Sequence, residues 1–231
     1  MFKQRITGDC VEIMPKLERK FDLILTDPIY NVGWKYNNKV KDNRKDYIEW
    51  CYSWVDICIG LLKENGILAI INYPEHNNRI FTYLYDKLNP IQQIVWNYNT
   101  NFGFSSRKYT RSHRTIILFS KGNDYTFNPI KQPYKNLNDK RIQKLISEGS
   151  KGTNHYDVIN INLCKNISKE KKNIGINQLP NKLVDFLIES FTNEGDWILD
   201  PFVGNGTVID RADVLGRNSV GIDIVDYDVS Y

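Results

Sequence analysis

Two short stretches of this chain carry side chains suited to chemistry at the end of a β-strand. The first is Asp27-Pro28-Ile29-Tyr30, which follows the apolar run Phe21-Asp22-Leu23-Ile24-Leu25-Thr26. A carboxylate, an exposed backbone carbonyl and an aromatic ring are the parts needed to hold an extruded nucleobase. The two acceptors take the N–H groups of an exocyclic amine while the ring stacks on the base. Taken alone, four such residues are better read as a strand-to-loop turn with a solvated Asp. The second stretch is Asp200-Pro201-Phe202-Val203-Gly204-Asn205-Gly206-Thr207. Here an apolar strand ends at an acid, glycines make a tight turn, and a helix follows. Glycines let a ligand approach the backbone, and ligands of open α/β sheets sit beyond the carboxyl ends of strands. Asp223 closes the next strand, Val220-Gly221-Ile222-Asp223, at about the 20-residue spacing of an acid that accepts hydrogen bonds from ribose hydroxyls. The turn has GxG and not GxGxxG, so by itself it reads at least as well as a structural tight turn.

Positioning these groups takes strands and helices in alternation. The apolar runs at 21–26 and 67–71 predict buried strands. Between them, residues 37–45 are polar and aperiodic and read as a surface loop. From Asp46 onward Tyr47, Trp50, Trp54, Ile57, Cys58, Leu61 and Leu62 recur at helical spacing, and Asn65-Gly66 closes that helix. A helix is predicted over about 75–88 and strands over 91–96 and 115–119. Residues 123–172 are polar, lysine-rich and interrupted by Pro129, Pro133, Gly149 and Gly152. Alternation then resumes, with helices over 181–191 and 206–215 and strands over 197–200 and 219–223. Such alternation implies an α/β fold, a mostly parallel sheet with helices on both faces.

Composition bounds what those elements build. At 231 residues the chain has the size of one domain or a domain with an insertion, and its 41% hydrophobic content is enough to fill a core. No apolar run is long enough to span a bilayer, and nothing after Met1-Phe2-Lys3-Gln4-Arg5 reads as a signal peptide. The cysteines, Cys10, Cys51, Cys58 and Cys164, form no CxxC pair, which argues against a metal site or a disulfide framework. A reduced, cytoplasmic protein is the simplest expectation. Charge is unevenly placed. Residues 105–172 hold 15 Lys/Arg against 5 Asp/Glu, a net of +10, and the rest of the chain holds 16 against 22, a net of −6. This asymmetry fits a polyanion-binding surface beside an ordinary enzyme core, and a solvated basic face fits equally well. Arg107, Lys108, Arg111 and Arg114 lie close together with Tyr109 among them, a pattern suited to phosphate contact and base stacking. Lys39, Lys41, Arg44 and Lys45 sit on the loop after Tyr30, placed to close over a substrate.

Read together, Asp-Pro-x-Tyr after an apolar strand and a later Asp-Pro-Phe-x-Gly-x-Gly-Thr resemble the DNA amino-methyltransferases, which modify adenine N6 or cytosine N4. The order, with the catalytic motif before the cofactor motif and a basic insert between, is similar to the circularly permuted β group of that family. Thr7-Gly8-Asp9-Cys10 resembles its N-terminal segment, whose acid contacts the cofactor's adenine. Asn177-Gln178-Leu179-Pro180 resembles the stretch lining the methionine pocket, and Leu215 to Asp223 resembles the approach to the ribose-binding acid. Tyr98 to Gly103 and His113-Arg114 also look like these enzymes. The chain departs from the family at Ile29, where a second proline is usual, at Asn205, where Ser is usual, and at Leu179, where Lys is usual. Relatives normally continue with another helix after the ribose-binding acid, and Asp226-Tyr227-Asp228-Val229 is its expected first turn.

The resemblance implies a Rossmann-like methyltransferase sheet of seven strands with a small basic recognition insert. Residues 1–122 form a catalytic half, 123–172 the target-recognition insert and 173–231 a cofactor half. The implied cofactor is S-adenosylmethionine, held by Asp9, Cys10, Asp27 and Asn177 on one side. The Asp200, Pro201, Phe202, Gly204, Asn205, Gly206 and Thr207 turn, with Asp223, holds it on the other. Phe202 reads equally well as a core residue. Catalysis falls to Asp27, Pro28, Ile29 and Tyr30, and DNA contact to Arg107, Lys108, Arg111 and Arg114. Double-stranded DNA is the implied partner, and the resemblance allows a homodimer and a cognate restriction endonuclease. Asp at the first catalytic position favours adenine, since cytosine-N4 enzymes more often carry Ser there. Three alternatives stay open: cytosine-N4 methylation on the same scaffold, an RNA or protein-amide substrate, and a non-catalytic nucleic-acid-binding module on a decayed methyltransferase fold. A dinucleotide-dependent dehydrogenase is a poor fit, because its glycine turn would follow the first strand.

Overall fold

A computed structural model describes residues 1–33, 35–36, 40–99, 106–165, 167–172 and 177–225. In chain order the first elements are β1 (Lys3–Thr7), α1 (Cys10–Ile13), β2 (Phe21–Thr26), β3 (Lys35–Tyr36), β4 (Val40–Lys41), α2 (Tyr47–Leu61), β5 (Leu62–Asn72) and α3 (Pro74–Leu84). Next come β6 (Asn89–Asn97), β7 (His113–Ser120), β8 (Lys131–Gln132), α4 (Lys140–Ser147), β9 (Thr153–Asn154) and β10 (Val158–Asn160). The last are α5 (Asn181–Phe191), β11 (Trp197–Asp200), α6 (Thr207–Val214) and β12 (Asn218–Asp223). The elements that were expected agree closely with observed ones; β1, α1 and the short strands β3, β4, β8 and β9 were not foreseen, and three further exceptions stand out. Helix α2 stops at Leu61, before Asn65-Gly66, because Leu62 turns extended (ψ 140°) and enters the next strand. Helix α4 was not foreseen. Its apolar residues Ile142, Leu145 and Ile146 recur at helical spacing, but none is buried, and they stand in a lysine-rich stretch interrupted by Pro129, Pro133, Gly149 and Gly152 that reads as irregular. The third exception is the strand count.

The main sheet has eight strands in the order β1-β12-β11-β2-β5-β7-β6-β10, one more than the seven expected. The extra strand is β10, which leaves the basic insert to pair in parallel with β6, Val158 to Val95 and Asn160 to Asn97. Only β7 breaks the parallel pattern, running antiparallel to both β5 and β6. Side chains alternate along the central strands. Leu68 and Ile70 pack with Trp54, Val55 and Ile80 of α2 and α3. Ile67, Ala69 and Ile71 pack with Leu183, Leu187 and Val208 of α5 and α6. Burial on both faces is why these strands read as unbroken apolar runs. Within α2 the buried residues Tyr47, Cys51, Trp54, Val55, Cys58 and Leu61 fall on one helical face.

The order of connections places the site. From β2 the chain crosses through α2 to β5 on one side, and from β11 it crosses through α6 to β12 on the other. The reversal lies between β2 and β11, which pair directly, Leu23 with Ile198 and Ile24 with Leu199. Ligand clefts of open α/β sheets form at such a switch point, at the carboxyl ends. Asp27 and Asp200, far apart in the chain, therefore leave adjacent strands side by side.

Gly221 shows how tightly that edge is packed. A Cβ there would lie 2.5 Å from Val203 Cγ2 and 2.8 Å from Val203 Cβ, so the turn after β11 would have to move. Gly221→Ala is expected to cost about 1–3 kcal/mol. Thermal unfolding should register it as a drop of about 2–4 °C per kcal/mol. An unchanged melting temperature would mean the turn yields freely. Among the described residues no helix is long and apolar enough to cross a membrane, and no group of His, Cys, Asp and Glu is placed to hold a metal ion. The four cysteines are free and buried.

Candidate active site

Beyond the switch point lies an open cleft, walled by the segments that follow β1, β2, β11 and β12, by Trp50 of α2 and by residues 177–179. Its two halves have different chemistry.

The half beneath β11 and β12 is built on backbone amides and carboxylates. Asp200 Oδ1 accepts from the Phe202 amide at 3.0 Å. Burial pushes its carboxyl up to about 8, with smaller contributions from Asp27 and Asp223. Gly204 and Gly206 take left-handed conformations, φ 47° and 81°, which an L side chain resists. A Cβ at Gly204 would meet only the Phe202 carbonyl, at 3.9 Å, so glycine keeps ligand space clear there. Asp223 braces the turn, accepting from the Gly204 amide at 2.8 Å and from the Val225 amide at 2.9 Å. Arg5 donates to the Gly204 carbonyl. Lys172 donates to the Asn205 carbonyl at 3.0 Å and pairs with Asp210, tying the end of the basic insert to the turn. Asp9 caps α1 through the Val11 amide. Burial raises the Cys10 thiol well above its ordinary range, which leaves it a neutral wall residue. Phe202 fits both of its readings. Its ring meets Trp50 and Trp54 edge-on at 5.4 and 5.2 Å, and it also lines the cleft.

The half after β2 holds Asp27. Burial pushes its carboxyl up to about 6, against the pull of the Arg114 charge and of a hydrogen bond from the Tyr30 hydroxyl. The loop carbonyls are mostly taken. That of Ile29 accepts from the Tyr47 hydroxyl and that of Tyr30 from His76 Nε2 at 3.1 Å. Tyr47 in turn accepts from Asn72 Nδ2 at 3.0 Å. Among the described residues no donor engages the Pro28 carbonyl, which stays available beside Asp27. The Tyr47 hydroxyl thus holds the backbone at Ile29, the position where a second proline is usual. Tyr30 is 2% exposed, with the Tyr73 ring 4.8 Å away.

Most of the expected site residues meet here. Asp9, Cys10, Asp27, Pro28, Ile29, Tyr30, Asn177, Asp200, Pro201, Phe202, Gly204, Asn205, Thr207 and Asp223 all border the cleft. Gly206 does not, because it lies behind the turn as the residue preceding α6. The four expected DNA-contacting cations divide. Arg107 and Lys108 are exposed beside Tyr109, which is fully exposed. Arg111 pairs with Glu75 at 2.5 Å and lies over the Tyr73 ring. Arg114 is no surface cation. It is 5% exposed, with its guanidinium over the Tyr30 ring. Sequence reasoning also missed Trp50, whose place on the helical stripe of α2 concealed that its first turn faces the cleft. Arg44 borders the cleft with its guanidinium 5.1 Å from the Trp50 ring. Lys39, Phe102, Gly103 and Asp226 to Val229 lie outside the described residues, and the Lys41 side chain is likewise not described.

Residues 21–230 match the DNA methylase family. The Type II methyltransferase M.HpaI of Haemophilus parainfluenzae is 30% identical over 97% of this chain and 71% of its own length. The Type II methyltransferase M.BamHI of Bacillus amyloliquefaciens is 29% identical over 94% of this chain, which spans 53% of that protein. Among solved structures, the M1.HpyAVI–SAM complex superimposes with a TM-score of 0.65 at 23% identity, over 96% of this chain and 94% of that one.

Proposed function

Since this chain belongs to the N6/N4 DNA methylase family, we propose that it transfers a methyl group from S-adenosylmethionine to adenine N6 in a short duplex site after flipping the base. The observation that carries this reading is the pairing of β2 with β11, which sets the Asp27 carboxylate and the Pro28 carbonyl beside the Asp200–Thr207 turn. The two halves of the cleft fit the two substrates. Gly204 leaves room for the cofactor, Asp223 and Asp9 are carboxylates at its ribose and adenine ends, and Asp200 faces its methionine end. When bound, the cofactor supplies an electrophilic methyl group on a sulfonium centre.

The chain's own work is positioning. An amino nitrogen conjugated to a purine is a poor nucleophile. Asp27 accepts one of its N–H bonds and the Pro28 carbonyl the other, which localises the lone pair and aims it across the cleft. The Tyr30 ring stacks on the base. At 2% exposure it offers no open face, so the entering base displaces a neighbour such as Tyr73. The pocket must return the few kcal/mol, roughly, that unstacking costs.

We assign DNA contact to Arg107 and Lys108 and target recognition to residues 123–172. Lys140, Arg141 and Lys144 of α4 lie exposed in that insert. Removing Arg107 and Lys108 together should weaken binding equally on all sequences. It should also lower the salt dependence of affinity by about one unit of slope per charge. Binding isotherms at several salt concentrations read this, and an unchanged slope moves the contact elsewhere. A cytoplasmic location agrees with the free cysteines. We propose a homodimer and a cognate restriction endonuclease as further partners; neither bears on the geometry of the cleft.

The deciding experiment incubates the purified chain with unmodified DNA and S-adenosylmethionine, then reads modified nucleosides by mass spectrometry and their positions by single-molecule sequencing. N6-methyladenine at a fixed short site supports the proposal. N4-methylcytosine selects the sister reaction. Cofactor binding without methylation of any DNA rejects both, and failure to bind the cofactor identifies a decayed, non-catalytic module.

A further inference from the structure

Arg114 has an environment that the proposed reaction leaves unexplained. It stands near the start of β7, opposite Trp96 of β6 and next to Thr115, which pairs with Asn72 at the end of β5. Since β7 is antiparallel, its beginning lies at the edge where the parallel strands end. The guanidinium carbon is 4.5 Å from the centre of the Tyr30 ring, 5.0 Å from Trp96, 5.6 Å from Tyr98 and 5.7 Å from Tyr73. The side chain is 5% exposed and its Nε has no hydrogen-bond partner. Packing alone does not account for this, because an apolar side chain would fill an aromatic box without burying a charge and a donor. The ring faces offset part of the cost. The charge of a neighbouring carboxylate adds to this.

Asp27 is that carboxylate. The groups acting on it are the Tyr30 hydroxyl from its own loop and Arg114 from β7; its own charge is felt in turn by Asp200 of β11, Tyr47 of α2 and Tyr98 after β6. His76 of α3 holds the Tyr30 carbonyl. Burial favours the protonated acid, and Arg114 is the cation opposing it. A protonated Asp27 would lose its charge and present an O–H to an amino group that needs an acceptor.

We propose that Arg114 is a positioning residue for the methyl transfer assigned above, its boxed guanidinium keeping Asp27 an ionised acceptor and pinning the Tyr30 ring beside it. This rests on Asp27 being the acceptor of the amino group, so the test has one arm that needs no catalysis. Carbon-13 NMR of labelled aspartate carboxyls in the full chain, with Asp27 identified by the signal lost in D27N, gives its titration midpoint without DNA or cofactor. Two neutral variants, R114Q and R114M, guard against one failing to fold, and R114K restores a charge. The neutral variants should raise the Asp27 midpoint by about 1–3 units, and R114K should hold it near the native value. In single-turnover assays the acid limb of the rate profile should move up with the midpoint, the rate should recover at high pH, and DNA affinity should be unchanged.

A native midpoint in the neutral variants overturns the proposal. So does a rate loss equal at every pH, which would mark a structural role. A native pH profile with weakened, salt-dependent DNA binding overturns it as well, because that would make Arg114 a phosphate contact. If the native chain methylates no DNA, the functional reading fails while the NMR arm still decides whether Arg114 governs Asp27.

Discussion

Asp27→Ala is expected to lower the single-turnover rate of methyl transfer by at least about 10²–10³-fold, the loss that follows removal of one preorganised hydrogen-bonding group from a transition state. The carboxylate sits at the switch point between β2 and β11, with Tyr30 and Arg114 on one side and the unengaged Pro28 carbonyl on the other. Without it the amino group keeps one acceptor, its lone pair stays delocalised into the ring, and its aim is lost. Asp27→Asn is the sharper variant, since it keeps the size and turns half of the acceptor into a donor facing the substrate's N–H. Cofactor affinity, measured by calorimetry, should survive in both, because the Asp223–Gly204 brace is untouched. Methyl transfer at the native rate by either variant would remove Asp27 from the reaction. The raised carboxyl adds a pH signature. The reaction needs the ionised form, so the native rate should fall as pH drops through about 6, the value to which burial raises Asp27.

Asp223→Ala is expected to act on the other substrate, weakening S-adenosylmethionine binding by about 100-fold while DNA binding persists. Its two oxygens accept the Gly204 and Val225 amides. Hydrogen bonds to a charged group are worth about 1.5–3 kcal/mol each, and about 2.7 kcal/mol is already a hundredfold in affinity. Loss of the brace frees a glycine turn whose positive φ angles hold only while the backbone is tied down. Asp223→Asn should fare little better, since one of its atoms would present a donor to an amide that is also a donor. Calorimetric titration of the cofactor into each variant reads the effect. Native affinity in Asp223→Ala would show that neither the ribose contact nor the brace matters to binding.

The parts of this fold visible in the sequence are those set by local patterning. An apolar run ending in Asp-Pro marked β2, one side of an amphipathic stripe marked α2 and α5, and a strand, glycine turn and helix marked β11 to α6. Helix α4 escaped because its short apolar stripe, Ile142, Leu145 and Ile146, lies in a polar stretch broken by Pro129, Pro133, Gly149 and Gly152. β10 escaped because three residues of an edge strand carry too short a pattern to read. The end of α2 was placed too late because Asn65-Gly66 is a strong local stop signal, yet the strand pairing of Leu62 with Phe21 captures the chain first.

For the site the division follows the same physics. The sequence by itself determined which residue types stand at strand ends, because an acid or a glycine after an apolar run leaves only a few local conformations. The ordered series of motifs then pointed to a methyltransferase. What only the tertiary structure decided is which charges are buried. Arg107, Lys108, Arg111 and Arg114 look alike in the chain, yet one of them lies in a box made by Tyr30, Tyr73, Trp96 and Tyr98. Those four rings come from three separate stretches of sequence and meet because β7 runs antiparallel between β5 and β6. The cost of burying a cation depends on neighbours brought by strand pairing, and strand pairing is not a local property.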